Sequence, residues 1–485
     1  MNNFLKNISI YSIARILPAI LSFVLLPIYI NNTTTYDYGI ISSMQILSVI
    51  VGLTFTLGID LALFRIYHDY DNEKDKRDLL GTIFIFLLVM SGFFILIYFL
   101  FQNTVNLLFI SIEFYPYYII TIGYTFLNLF AVIPLIYFQV KHKSKSYLFF
   151  SLLSIIVNAC FILYFLVFKQ QGAIGYLKGE FISKLILLPI FIYLTFKIIN
   201  FNFYYKKLIN VLKFSLPMIP GLLSTFILNL SDRIFIERYF SLEDVAIYTL
   251  SYKLASIILL VCGAFSMAYN PFFYEKASSS DQVTAKKELS FINNIYAIIS
   301  LYLSVGLILF ANNILDIFFD ERYWSGNQII PFIVVGSYFS LITGLLNLMY
   351  NQQKKSLELM YIIIIGAILN IVLNIVFIPI YGITGAAFST LASFIIIFLI
   401  QYKYAKLYYF IEFDFLLIIK AAVPMFFLLF LLLFDFESGL SAYYKVPKTS
   451  ITILILVAKI ILFLALGLIT MYRILPAYFI NNKSK

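Results

Sequence analysis

The residues best placed to do chemistry in this sequence are charged side chains set inside long apolar runs. Arg15, Asp60, Lys178, Glu180 and Lys184 come first, Asp232, Arg233 and Lys253 follow, and Lys420 and Lys459 lie near the C-terminus. At the centre of a bilayer such a group costs about 2.5–3.5 kcal/mol on insertion scales, so it faces protein or a watery cavity. Arg15, Arg233 and Lys253 are the leading candidates for holding an anion, with Lys178 and Lys184 as further cationic contacts. A guanidinium suits phosphate because its planar fork donates two parallel hydrogen bonds. Asp60, Asp232 and Glu180 are expected to be charge partners or sites for a coupling proton or sodium ion. Plainer roles compete. Lys184, Lys420 and Lys459 can reach an interface on their long stems. Arg233 can serve as one member of a structural ion pair. Asp60 can be the local partner of Arg65. Asp232 and Arg233, being adjacent, point about 100° apart on a helix and need not pair with each other.

No other chemistry is legible. The sequence has no GxxxxGK[ST] phosphate loop, no HExxH and no GxSxG. No loop is large enough for a catalytic domain, so no catalytic residue, resident cofactor or metal is expected. Cys160 and Cys262 sit in apolar stretches and read as small buried residues. His68 and His142 lie in polar loops without partners at metal-ligand spacing. The run Asp69 to Asp78, DYDNEKDKRD, reads as a solvated loop.

The elements that must position these charges follow from composition. The chain has 485 residues, 62% hydrophobic and only 12% charged, against about 25% charged in soluble domains. A soluble core cannot hide that much apolar surface, so the solvent is lipid. The net charge of +10 comes without a basic run or a nucleic-acid module. Apolar runs of about 20 residues, long enough to cross a bilayer, give fourteen expected helices. They fall near 8–31, 39–64, 80–102, 116–138, 147–168, 173–196, 214–237, 245–270, 290–311, 329–350, 358–380, 384–402, 413–434 and 450–472. The first is expected to be an uncleaved span, since no small-residue cleavage pattern follows it.

Lys and Arg gather in alternate loops, at 65–79, 139–146, 197–213, 271–289, 351–357 and 403–412. The intervening loops 31–38 and 103–115 have none, and 312–328 has only Arg322. The positive-inside rule then makes both termini cytoplasmic. Residues 200–213, NFNFYYKKLINVLK, mix aromatics with lysines and suit a helix lying in the interface.

The two halves resemble each other at offsets of 210 to 212 residues. Lys145-Ser146 matches Lys355-Ser356, Asn158 matches Asn370, GAIG at 172–175 matches GITG at 382–385, and Ser183 matches Ser393. Equivalent spans share one orientation, so the repeat is parallel, with its pseudo-two-fold axis along the membrane normal. The expected architecture is therefore all-α and membrane-integral. It comprises a six-helix lobe at 1–198, an amphipathic linker at 199–213, a second six-helix lobe at 214–404, and a helix pair with tail at 405–485. Cationic side chains from both lobes are expected to meet in one wet vestibule.

Several stretches carry a family resemblance: YSIARILPAILSFVLLPIY at 11–29 followed by Tyr38-Gly39, LKFSLPMIPGLLSTFILNLSDRIFIER at 212–238, Tyr323-Trp324 with Ile330-Pro331, and GITGAA at 382–387. The chain resembles the polysaccharide-biosynthesis flippases, the Wzx-type exporters within the multidrug/oligosaccharidyl-lipid/polysaccharide superfamily, which have a MATE-like fold. The resemblance implies a bacterial inner-membrane protein that turns undecaprenyl-diphosphate-linked oligosaccharide toward the periplasm. The cargo would be an O-antigen, capsule or exopolysaccharide repeat unit, and a polysaccharide polymerase and a chain-length regulator would be partners. It further implies that Arg15, Arg233 and Lys253 contact diphosphate or acidic sugar. The alternatives are a cation-coupled drug antiporter, which should prefer acidic groups in its cavity, and a lipid II flippase.

Overall fold

A computed structural model describes residues 2–433, 457, 459–465 and 467, with side chains described from residue 17 to 425 and at those last positions. The helices are, in order, α1 (Asn2–Asn31), α2 (Thr35–Thr56), α3 (Ile59–Ile66), α4 (Glu73–Leu100), α5 (Gln102–Asn106), α6 (Ile119–Val140), α7 (Ser144–Leu163) and α8 (Gly172–Ile198). They continue with α9 (Tyr205–Ser215), α10 (Ile219–Leu230), α11 (Asp232–Tyr239), α12 (Leu242–Ala255), α13 (Ile257–Ala277), α14 (Gln282–Phe318), α15 (Ile330–Gln352), α16 (Ser356–Ala405) and α17 (Phe415–Leu433). The described residues contain no strand, and ten of their helical stretches are long and apolar enough to cross a membrane. The chain is an all-α, multi-pass membrane protein, and each of the first thirteen expected spans falls on helix. The fourteenth, 450–472, lies mostly outside the described residues.

The boundaries differ from expectation where backbone chemistry intervenes. The span expected at 39–64 breaks after α2, where Leu57 and Gly58 take left-handed backbone (φ 46° and 70°). A left-handed residue at this point ends an α-helix and satisfies its last carbonyls. The start of α2 is set by Thr34, whose hydroxyl accepts from Asp37 N at 3.0 Å, an N-cap that satisfies one of the first orphan N–H groups. The span expected at 214–237 is divided among α9, α10 and α11. Pro217 and Pro220 lack the N–H groups a continuous helix needs there, and a 3-10 turn fills Leu216–Met218. The spans expected at 358–380 and 384–402 form one long element, α16, interrupted at Gly382, whose φ of 57° and ψ of −137° only glycine adopts without strain.

Lipid-facing surface is visible as stripes of exposed apolar side chains. On α4 these are Val89, Phe93, Leu96 and Leu100, and on α16 they are Tyr361, Ile365, Ile368 and Val372. Steps of three and four residues place each set on one helix face. Cys160, expected to be buried, is instead exposed on α7, while Cys262 is buried. A thiol on a helix face in contact with lipid needs no burial in protein.

The helices pack into two compact units. One gathers Met1–Leu250 with Ile363–Ser389, the other Ser251–Ile362 with Thr390–Lys485. In this grouping by packing, α9 to α11 and most of α12 go with the first six spans. In the first unit α8 packs on α6 and α7, α7 on α1, and α2 on α4, α6 and α8. In the second, α14 packs on α13, α15 and α17. Lipid tails are as apolar as leucine, so close packing rather than a hydrophobic drive holds such helices together. Glycines supply the close approaches. A Cβ at Gly39 would stand 2.0 Å from the Leu242 carbonyl oxygen, and one at Gly179 would stand 2.6 Å from Ile162 Cα.

The segment joining the expected lobes is held firmly. Asp78, expected to be solvated, is buried, because α4 begins at Glu73 and turns this side chain inward. Its carboxylate accepts from Asn200 Nδ2 at 2.8 Å and Asn202 Nδ2 at 3.1 Å. The Asn200 N–H donates to Arg77 O at 3.1 Å, and the Tyr204 N–H to Thr82 Oγ1 at 3.1 Å. A Cβ at Gly81 would fall 1.7 Å from Asn200 O. Beyond this, α9 buries Leu208 and Val211 and packs on α3 and α4, while Tyr205 and Lys206 stay exposed. It is the amphipathic helix that 200–213 leads one to expect.

Candidate functional site

Two polar clusters lie within the apolar body of the first unit. The first is built on α7 and α8. Glu180 is half-buried and accepts from Asn158 Nδ2 at 2.8 Å. Lys184, one helical turn on, stands 3.3 Å from the same carboxylate. The i,i+4 spacing stacks the two side chains on one face of α8, so Lys184 is paired in the protein and does not merely reach for an interface. Lys178 faces the start of the same helix, where its Nζ donates to Gln171 Oε1 at 3.2 Å. Nearby, Gln45 of α2 donates to the Tyr176 hydroxyl at 2.9 Å, and Tyr29 of α1 meets the Tyr176 ring edge-on at 5.6 Å. Asn158→Ala is expected to cost about 1–3 kcal/mol, the price of orphaning one lone pair of a desolvated carboxylate. An unchanged unfolding midpoint of the purified variant would show that Lys184 alone satisfies Glu180.

The second cluster is more deeply buried. Asp232 opens α11 with no solvent exposure, and Arg233 beside it is 3% exposed. The Tyr248 hydroxyl of α12 donates to Asp232 Oδ2 at 2.5 Å. Asn374 Nδ2 of α16 donates to Asp232 Oδ1 at 3.0 Å and also to Asn370 Oδ1 at 3.1 Å. The Arg233 guanidinium lies over the Tyr248 ring, 5.0 Å from its centroid, and donates to the Asn229 carbonyl. Both charges thus lean on one tyrosine, Asp232 on its hydroxyl and Arg233 on its π-face. Asn374 Oδ1 and Asn370 Nδ2 are buried without a hydrogen-bond partner. The cluster therefore offers one buried carboxylate, one buried guanidinium and amide groups with spare capacity.

A third polar contact borders this cluster. Glu237, 1% exposed, accepts from the Ser111 N–H at 2.6 Å, and Arg238 Nη2 donates to Leu107 O at 2.9 Å. Together they fasten α11 to the loop after α5.

The remaining expected residues are placed as follows. The Arg15 side chain lies outside the described ones, although its backbone is on α1. Lys253 is half-buried in the last turn of α12 and belongs to the second unit. Asp60 is half-buried on α3. Arg65 is not its ion-pair partner; that guanidinium sits 4.9 Å from the centroid of the Phe214 ring. Lys420 is exposed on α17. Among the described residues, no group of His, Cys, Asp and Glu could hold a metal ion. Tyr248, Asn374 and Glu237 were not legible as site residues, because a lone tyrosine, amide or carboxylate near a span end carries no pattern. Asn158 and Asn370 were visible only as a repeat match.

The repeat has a backbone counterpart. Gly172 and Gly382, 210 residues apart, both take left-handed φ, at 56° and 57°. A Cβ at Gly175 would meet Phe165 O, and one at Gly385 would meet Phe377 O. Asn158 and Asn370 each sit beside a carboxylate-centred cluster.

Comparison with known proteins places the chain. Residues 4–277 match the family described as polysaccharide biosynthesis protein. The chain belongs to that family. Residues 217–376 also match the MatE family. An uncharacterized membrane protein of Methanocaldococcus jannaschii, MJ1068, is 22% identical and covers 82% of each chain. The Lsg locus putative protein 1 of Haemophilus influenzae is 24% identical over 56% of this chain and 66% of its own length. Among solved structures, lipid II flippase MurJ in an inward closed conformation superposes with a TM-score of 0.75 at 17% identity, covering 96% of this chain and 99% of that one. A MATE structure in the straight conformation gives 0.52 at 15% identity, covering 84% and 95%. This polysaccharide biosynthesis protein therefore has a MATE-like, multi-pass membrane fold.

Proposed function

We propose that this protein turns an undecaprenyl-diphosphate-linked oligosaccharide, a repeat unit of O-antigen, capsule or exopolysaccharide, from the cytoplasmic to the periplasmic leaflet of the bacterial inner membrane. It works by alternating access, with both termini cytoplasmic. The observation that carries this reading is the buried guanidinium of Arg233 on α11, just beyond the apolar helix α10, in a polysaccharide biosynthesis family member. A desolvated arginine is expensive unless it serves a partner, and a planar guanidinium is the side chain best matched to a diphosphate. Arg15, Lys253, Lys178 and Lys184 are the further cationic residues proposed to contact the cargo. Asp232, with Asn370 and Asn374, is the proposed site for a coupling proton or sodium ion, Glu180 is the charge partner of Lys184, and Asp60 is a second partner for the cargo-facing bases.

Arg233→Gln tests the assignment. Losing one charge-assisted contact to the diphosphate is worth about 1.5–3 kcal/mol, or roughly ten- to a hundredfold in transport. The expected result is loss of surface polysaccharide with accumulation of lipid-linked precursor at normal protein levels. Normal export by stable, inserted Arg233→Gln protein would defeat the proposal. A drug antiporter would instead reveal itself by altered drug susceptibility on deletion. Replacement of an essential lipid II flippase by this chain would favour that cargo.

A further inference from the structure

We infer that the second unit carries a separate site for the phosphate of an anionic membrane lipid, at the junction of α14 and the segment entering α17. A cavity of about 820 Å³ opens there, lined by Lys286, Lys287 and Lys406 together with Phe410, Phe413 and Phe415. All three lysines come from loops or helix ends on the lysine-rich side of the chain. Among the described residues, none of their ammonium groups is ion-paired, whereas neighbouring Lys276 and Lys355 are bound to Glu288 at 2.6 Å and Glu358 at 2.9 Å. Instead Lys286 rests 5.0 Å from the centroid of the Tyr409 ring, and Lys406 rests 4.9 Å from that of Tyr402. An ammonium on a π-face keeps N–H donors free for an anion.

The carboxylates in the wall do not cancel this charge. Asp414 is used as the cap of α17, where its Oδ1 accepts from Leu417 N at 2.9 Å. Glu412 is exposed, and three cations against two carboxylates leave the wall net positive. The wall is also fixed in place: Ser290 Oγ donates to Glu412 O at 2.7 Å, and the Asp414 N–H donates to Asn294 Oδ1 at 2.9 Å. Two features select a lipid over free phosphate. The aromatic collar closes around Tyr402, which meets Phe410 at 5.5 Å and Phe415 at 5.3 Å, and such rings settle at the headgroup level of a bilayer. From the collar, α17 presents exposed Leu416, Ile419 and Val423 on one face, an apolar track along which acyl chains can lie. Basic pockets beside spanning helices recognise anionic headgroups in this way.

The test uses the full chain in neutral detergent, titrated with dihexanoyl-phosphatidylglycerol, dihexanoyl-phosphatidylcholine or inorganic phosphate and read by native mass spectrometry. Phosphatidylglycerol is expected to bind, phosphatidylcholine to bind far more weakly, and inorganic phosphate to compete poorly. The triple variant Lys286→Gln, Lys287→Gln, Lys406→Gln is expected to weaken phosphatidylglycerol by about tenfold or more, with an unchanged unfolding midpoint, because surface lysines each add to headgroup attraction. The triple arginine variant keeps the charge and should retain binding. Equal binding by the glutamine variant, or equal affinity for phosphatidylcholine, overturns the site. Inorganic phosphate binding as tightly as the lipid overturns the lipid assignment. Transport is not read, so this result stands apart from the fate of the flippase proposal.

Discussion

Asp232→Asn is expected to suppress transport by about tenfold or more while leaving much of the protein inserted, since one lost charged hydrogen bond is worth about 1.5–3 kcal/mol. The carboxylate accepts twice, from the Tyr248 hydroxyl and from Asn374 Nδ2. A side-chain amide has one acceptor and one donor end. Turned one way, its NH2 meets the Asn374 amide, donor against donor; turned the other, it meets the Tyr248 hydroxyl, which must then accept, so that the hydroxyl proton loses its carboxylate partner. The charge that offsets Arg233 over the same ring also disappears. Surface polysaccharide in a deletion strain, scaled to the amount of inserted protein, measures the effect. Tyr248→Phe separates the two causes: it removes the hydroxyl donor but keeps the ring beneath Arg233, so it should weaken export less than Asp232→Asn. Full export by the Asp232→Asn variant would show that this carboxylate carries neither a coupling ion nor a structural charge.

Gly39→Val is expected to have the largest effect on folding. The first atom of any side chain at this position would stand 2.0 Å from Leu242 O and 2.6 Å from Leu242 C. These are backbone atoms at the start of α12 and cannot rotate away. Relief therefore requires α2 and α12 to separate, and overpacking of this kind typically costs about 1–3 kcal/mol, and more where backbone must shift. In lipid the separation is not recovered by hydrophobic drive, because the gap closes only through van der Waals contact. Size-exclusion chromatography of the solubilised variant should show loss of the monodisperse peak or a lowered unfolding midpoint. A wild-type profile would mean that the close approach contributes little to stability.

Much of this architecture was legible because lipid imposes a simple length rule. Apolar runs located the spans, and the alternation of lysine-rich loops kept their register. What escaped was the internal punctuation. Leu57-Gly58 ends a helix by left-handed backbone, and a leucine gives no warning of that. Pro217 and Pro220 were visible, but a helix can begin beyond a proline or bend through it. Of the candidate site, Asp232, Arg233, Glu180 and Lys184 stand out in the sequence because a charge in an apolar run is conspicuous. Their partners do not, since Tyr248 is one of 38 tyrosines and Asn374 one amide among many. Asp78 was misread for the opposite reason. It sits in a run of charges, and only the burial of its face against Asn200 and Asn202 distinguishes it from its solvated neighbours.

The grip of Asp78, Thr82 and Gly81 on 200–204 also bears on how the gene can be recombined. A stretch of chain without helix invites the engineer to treat it as a neutral seam. Here it is a keyed joint, with Asn200, Asn202 and Tyr204 each answered by a group on α4. A hybrid spliced at residue 200 would bring a foreign strand to a lock cut for this one, whereas a crossover placed after Lys207 would carry key and lock together.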